Sequence, residues 1–443
     1  MLKTGFAKNI ITPWRGVPLC GYFNPRPNTG VYDDLTVKAV IMENNGIKSG
    51  IVSFDLCYPG DTLMALIMEL AAKAGISFID RILFCATHSH TAPYPSPFFG
   101  HDADVEYLKM AAEKTIDAIL TAEKNLAETE LFSGKTYCDT LAFNRRYWMK
   151  NGKVLTNPGK LNPDMVKAEG PVDFDIPILA MKQNGMISAL FVNIVNHTDT
   201  VGGNVVSADW PGRMERYIQD ALGYDVPVIT LIGCSGNINH LNQMIPDEQC
   251  SFEEAQRIGK GYADIVLKAI PELKTLPADS VKVESSIINI PYCTITEQQC
   301  EDARQVLERT KNCVNDGSDM TSEGLATGDG PVAQFFAQQL LAYAETCSGK
   351  NRDFKLFSFK FGSEFAIVSI PGEPFTEIGL GIKKASVFPQ NMVVSLGMGD
   401  CGYVPMPECF ERGGYEILPV EGGAPEHQTA IRLQEYAIEL LNR

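Results

Sequence analysis

The sequence has no run of eighteen apolar residues, which excludes a helix that crosses a bilayer. It is short of cations: 38 Lys and Arg stand against 54 Asp and Glu, for a net charge of −16. That balance repels phosphate backbones and anionic lipid surfaces, so no nucleic acid is expected as a partner. The twelve cysteines contain no CxxC pair and keep no regular spacing. Neither a zinc knuckle nor a disulfide framework is therefore suggested, and buried reduced thiols are expected. There is no HExxH helix, no visible internal repeat and no low-complexity tract. Met1 to Phe6 lack the apolar core of a signal peptide, so a cytoplasmic location is expected, and export would need a leader beyond these residues.

Histidine is scarce as well, six in 443 residues, yet His88 and His90 fall together. They follow an apolar run, Ile82 to Ala86, that reads as a short buried strand emptying into a polar turn. The pattern recurs when Ile187 to Val195 delivers Asn196-His197-Thr198-Asp199. Asn-Gly pairs at 45–46 and 184–185 each join two apolar runs and predict hairpins. Helical spacing marks 61–74, 105–127, 212–221, 252–270, 296–312, 331–346, 375–385 and 427–442, with Asp209 as the N-cap of the third. Residues 5–36 and 151–173 read as irregular, and 311–330 as a long loop. The expected architecture is α/β (mixed α+β): one large domain, residues 1–443, with two central twisted mixed sheets packed together and helices outside.

Four strand ends present polar donors: His88 with His90, His197, Glu373 in Pro371-Gly372-Glu373-Pro374, and Tyr403 in a glycine-rich loop. Nitrogen and oxygen donors with a free water position suit hydrolytic zinc, although spacing alone leaves packed histidines and a helix-capping glutamate equally open. Asp55, Asp199 and Asp209 read as caps or as carboxylates that orient a histidine. His101, His240 and His427 read as structural.

Taken together the motifs are more specific. Ile11-Thr12-Pro13, Gly21-Tyr22, Thr87-His88-Ser89-His90, Asn144-Arg145, Asn196-His197, Gly236-Asn237-Ile238-Asn239, Pro371-Gly372-Glu373, Tyr403 and Tyr415-Glu416 occur in one order. That order resembles the catalytic domain of the neutral/alkaline, non-lysosomal ceramidases over roughly residues 4–420, and within them a short bacterial branch without the carboxy-terminal immunoglobulin-like domain. The resemblance implies a zinc-dependent hydrolase that cleaves an N-acyl amide bond by attack of a metal-bound water. It implies His88, His197, Glu373 and Tyr403 as zinc ligands, with His90, Arg145 and Tyr415 around the water and the amide carbonyl. Where that family carries a serine followed by proline, this chain has Asn239 followed by His240. Asparagine is no nucleophile, so only the zinc-water route remains, with Asn239 as a hydrogen-bonding contact to substrate. The implied partner is a small-molecule or lipid-like N-acyl compound. Two alternatives stay open: a metal-dependent hydrolase of a smaller polar ester or amide, and a silent homologue that binds ligand without turnover.

Overall fold

A computed structural model describes residues 2–277, 281–313, 320, 324–325, 328 and 330–443. Three sheets form its centre, and they share one connectivity. In the first, Lys3–Ile10, Thr36–Asn44 and Ile47–Phe54 run antiparallel in that order. The helix Asp61–Ala74 then crosses to Ile82–Ala86, which lies parallel to Ile47–Phe54. The second repeats this with Glu130–Tyr137, Asp175–Gln183 and Met186–Ile194, the helix Asp209–Leu222, and parallel Val228–Ile232. The third repeats it with Val281–Pro291, Asn351–Phe361 and Phe365–Ser369, the helix Thr376–Ala385, and parallel Gln390–Val394.

A second helix closes each unit: Val105–Lys124, Phe252–Ala269 and Thr429–Asn442. The inner faces of the sheets meet in one core, with Leu83 and Ile51 from the first, Phe191 and Leu231 from the second, and Phe359 and Ile367 from the third. Each outer face is covered by the two helices of its own unit. Strands covered on both faces are largely apolar, which is why Ile82–Ala86 is an unbroken apolar run and Val228–Ile232 is apolar but for Thr230, both buried at every residue. The expected mixed sheets with outer helices are present, and a third large sheet packs on the same core. Among the described residues no helix is long and apolar enough to cross a membrane.

The repeat escaped the sequence because it is one of topology. The segment between the first two strands of a unit changes from 11–35 to 138–174 to 292–350, and no shared residue pattern survives. Lys3–Ile10 lies partly in the stretch expected to be irregular. Gly5 serves close packing: a Cβ there would lie 1.9 Å from the carbonyl oxygen of Ala122 in the covering helix. Residues 151–173 hold two short strands, Val154–Thr156 and Met165–Ala168, that flank Arg146–Met149. Asp209 is the first residue of its helix instead of the cap, with φ of 54° and its carboxylate accepting from Val201 and Trp210 N–H. The loop expected over 311–330 lies mostly outside the described residues.

Gly5→Ala should therefore cost about 1–3 kcal/mol of unfolding free energy by driving the Val105–Lys124 helix off the first sheet. A urea-denaturation midpoint unchanged from wild type would contradict that packing.

Candidate metal centre

The carboxyl ends of the three parallel strand pairs converge. His88 follows Ile82–Ala86 with a φ of 65°, a left-handed value rare outside glycine, which turns its ring out of the strand line. Its Nδ1 lies 2.7 Å from the carbonyl oxygen of Cys57. His197 follows Met186–Ile194, and its Nδ1 lies 3.2 Å from the carbonyl oxygen of Ser235. A carbonyl only accepts, so in both rings Nδ1 carries the hydrogen and Nε2 keeps its lone pair. The two Nε2 atoms are 3.1 Å apart.

Glu373, beyond Phe365–Ser369, brings Oε2 to 3.3 Å from His88 Nε2 and 3.6 Å from His197 Nε2. That oxygen is buried and has no hydrogen-bond partner. Three acceptors thus face one another, an arrangement that is costly unless a cation is shared. A tetrahedral zinc with ligand bonds of about 2.0–2.2 Å sets its donor atoms about 3.3–3.6 Å apart, so these residues fit such an ion.

Burial pulls the imidazoles of His90 and His197 down, His90 to about 3, so both are neutral at ordinary pH. Burial pulls His88 the same way, but the Glu373 carboxylate outweighs it and raises His88. His90 Nε2 lies 3.2 Å from His88 Nε2, while its Nδ1 is buried without a partner. The two histidine loops are tied together. Thr198 Oγ1 donates to the carbonyl of Thr87 at 2.6 Å and also to that of His88, and His90 N–H donates to the carbonyl of Thr198 at 3.2 Å.

Arg145 is the inward member of the Arg145-Arg146 pair. Its guanidinium lies 5.1 Å from the Tyr403 ring centre and 5.4 Å from that of Tyr415. It donates through Nε to Glu416 Oε1 at 3.2 Å and through a terminal nitrogen to the carbonyl of Gly236 at 2.7 Å. Arg146 turns the other way, to Glu416 Oε2 at 2.7 Å and to Glu169. Tyr403 is paired with Glu373 in a short parallel ladder. Burial, then the Glu373 carboxylate, pushes its phenol well above the ordinary range, and burial raises Tyr415.

These groups open on a cavity of about 250 Å³. Six residues singled out from the sequence line it: His88, His90, Arg145, Glu373, Tyr403 and Tyr415. His197 stands directly behind, fully buried, with Nε2 at the centre. Asn239 is not brought into the wall. It pairs with Phe143 across a two-stranded ladder, and its carboxamide is spent on Asn157 Oδ1 at 3.1 Å and the N–H of Leu241 at 3.1 Å. The next residue, His240, read as structural, does line the cavity together with Asp199, Asn157, Cys57 and Asp400. The departure from serine-proline at 239–240 was the available signal for His240. Nothing in the sequence pointed to Asn157.

No family model matches the sequence, and neither does any curated protein. Solved structures do match. A structure described as a ceramidase complexed with C2 superposes with a TM-score of 0.74 at 15% identity, covering 99% of this chain and 74% of that one. A neutral ceramidase from Pseudomonas aeruginosa superposes with a TM-score of 0.72 at 15% identity and the same coverage. The chain therefore has the fold of the neutral ceramidase structures.

Glu416 joins both arginines and also accepts from Thr156 Oγ1 at 2.7 Å, all of it buried. Burial alone would raise its carboxyl, but Arg146 and Arg145 outweigh burial and hold it below the usual range. A depressed carboxyl adds stability above its unfolded pKa, and that stability is lost as pH falls through the folded value. Glu416→Gln should cost about 3–5 kcal/mol at pH 7, because it leaves two guanidiniums underpaired, and should flatten the loss of stability on acidification. Urea titrations at pH 7 and pH 4 check this, and equal losses for variant and wild type would contradict it.

Proposed function

We propose that the protein is a metal-dependent, ceramidase-like amide hydrolase that cleaves an N-acyl bond, with residues 1–443 acting as one catalytic unit. The observation that carries this reading is the convergence of two Nε2 lone pairs and an unpartnered carboxylate oxygen, one from each sheet, at a cavity. The likeness to ceramidase structures supports the same reading. His88, His197 and Glu373 would hold the ion, with Tyr403 beside Glu373 as the fourth group, and zinc suits this mixture of nitrogen and oxygen donors. Bound there, zinc supplies a Lewis acid and lowers the pKa of water towards about 7.

The chain's own residues account for the remaining steps. Arg145 and Tyr415 are hydrogen-bond donors held beside Glu373, placed to stabilise the oxyanion that forms when the amide carbonyl is attacked. The neutral His90 ring, with one nitrogen unpartnered, can take a proton near the attacked carbon and pass it to the leaving amine. Phe23, Phe98, Phe99 and Phe336 form an apolar wall suited to an acyl chain and able to exclude water.

Purified wild type incubated with N-dodecanoyl amides should release the free amine, read by mass spectrometry, and should lose this activity to a chelator. His88→Ala and His197→Ala should each abolish it. Arg145→Ala should keep its metal and lose about 10²–10³-fold in kcat, the usual cost of one oxyanion donor. A metal-loaded wild type that releases no amine from any N-acyl substrate would overturn the proposal.

A further inference from the structure

The third sheet brings Glu373 and Tyr403 to the centre, and the loop between Gln390–Val394 and Tyr403 touches both. That loop is strained. Leu396 and Met398 have φ of 54° and 63°, values rare outside glycine that persist only where the surroundings impose them. Backbone bonds impose the first half: Leu396 N–H donates to the carbonyl of Gly372 at 3.0 Å, Gly397 N–H to that of Ile370 at 3.0 Å, and Met398 N–H to that of Phe84 at 2.8 Å. The second half is closed by a side chain. Asp400 Oδ1 accepts from the N–H of Gly402 at 2.8 Å, two residues on, as in an Asx turn. Gly402 has a φ of 76°, and its carbonyl accepts from Glu373 N–H at 2.9 Å. The next residue is Tyr403. Asp400 lines the cavity, but among the described residues it belongs to neither set of donors close enough to share an ion, so its part is indirect.

Resting on the metal-dependent reading, we propose that Asp400 is a positioning residue: its turn sets Gly402, and through Gly402 it holds Glu373 and Tyr403 in place for the ion. Glu373 Oε2 has no hydrogen-bond partner, so its place opposite the two imidazoles depends on where the backbone puts it. Without the turn the half-buried N–H of Gly402 loses its acceptor, the strained loop has less to hold it, and the carbonyl that fixes Glu373 shifts. The turn asks for an acceptor oxygen at one distance from the backbone. Asparagine carries that oxygen without the charge, serine offers a weaker one, and alanine has none.

The test is zinc affinity, measured on metal-free protein by competition with a chromophoric chelator, for wild type, Asp400→Asn, Asp400→Ser and Asp400→Ala. Asp400→Ala should bind zinc about 10–100-fold more weakly, the usual cost of removing a group that orients a ligand. Asp400→Asn should stay close to wild type, and Asp400→Ser should fall between. Gly5→Ala, which weakens the fold far from the centre, should leave zinc affinity unchanged and so separates positioning from a general loss of stability. If Asp400→Ala fails to fold, the order of Asp400→Asn above Asp400→Ser decides. Equal affinities across the Asp400 series, or an Asp400→Asn as weak as Asp400→Ala, overturn the positioning role and leave the metal-dependent reading standing. A protein that binds zinc in the expected order but releases no amine keeps the positioning role and loses the hydrolase reading. A wild type that takes up no zinc overturns both.

Discussion

Two imidazole lone pairs and a carboxylate oxygen cannot be held within hydrogen-bond distance of one another in a protein interior at no cost. His88, His197 and Glu373 are held in that way, with separations of 3.1, 3.3 and 3.6 Å. Each is fixed by structure that would be wasted on a histidine pair serving only to fill space. Backbone carbonyls set both ring tautomers, a left-handed residue aims His88, and Thr198 ties the two loops together. A cation at the centre turns the mutual repulsion of these acceptors into attraction. The threefold repetition of one strand–helix–strand connection supplies the frame, because it brings one donor from the carboxyl end of each sheet to a shared point.

The layers around that point follow from it. Arg145 can remain buried beside it because Glu416 and two aromatic rings face its guanidinium, and Glu416 is in turn matched by Arg146. Neutral His90 stands where a second cation would be unwelcome. Beyond these groups the cavity is lined by Phe23, Phe98, Phe99 and Phe336 and by the Asp199–His240 pair.

Much of the site was legible in the sequence because strand ends announce themselves: an unbroken apolar run leading to histidine is visible at 82–90, and a mainly apolar one, interrupted by Ser188 and Asn193, at 187–197. The Asn-Gly hairpins were equally plain. Asn45 and Gly46 have φ of 52° and 78°, and Asn184 and Gly185 have 51° and 79°, the pair of positive angles such a turn needs. What stayed hidden depended on tertiary packing. Nothing in the sequence around Gly5 shows the helix that presses on it. Asn239 and His240 are neighbours in sequence, and only the local ladder decides that the first faces inward and the second faces the cavity. Arg145 and Arg146 likewise part company: Arg145, between two short strands, reaches the site, while Arg146, the first residue of the next strand, turns to Glu169. The third sheet and the repeat emerge only from strand pairing, since the connecting segments share nothing in length or residues.

The most direct measurement is anomalous diffraction at the zinc edge from crystals of the wild-type protein grown with zinc. The account predicts a single strong peak about 2.0–2.2 Å from His88 Nε2, His197 Nε2 and Glu373 Oε2. The absence of a peak there, or a peak held instead by Cys57 with His88 and His90, would contradict it.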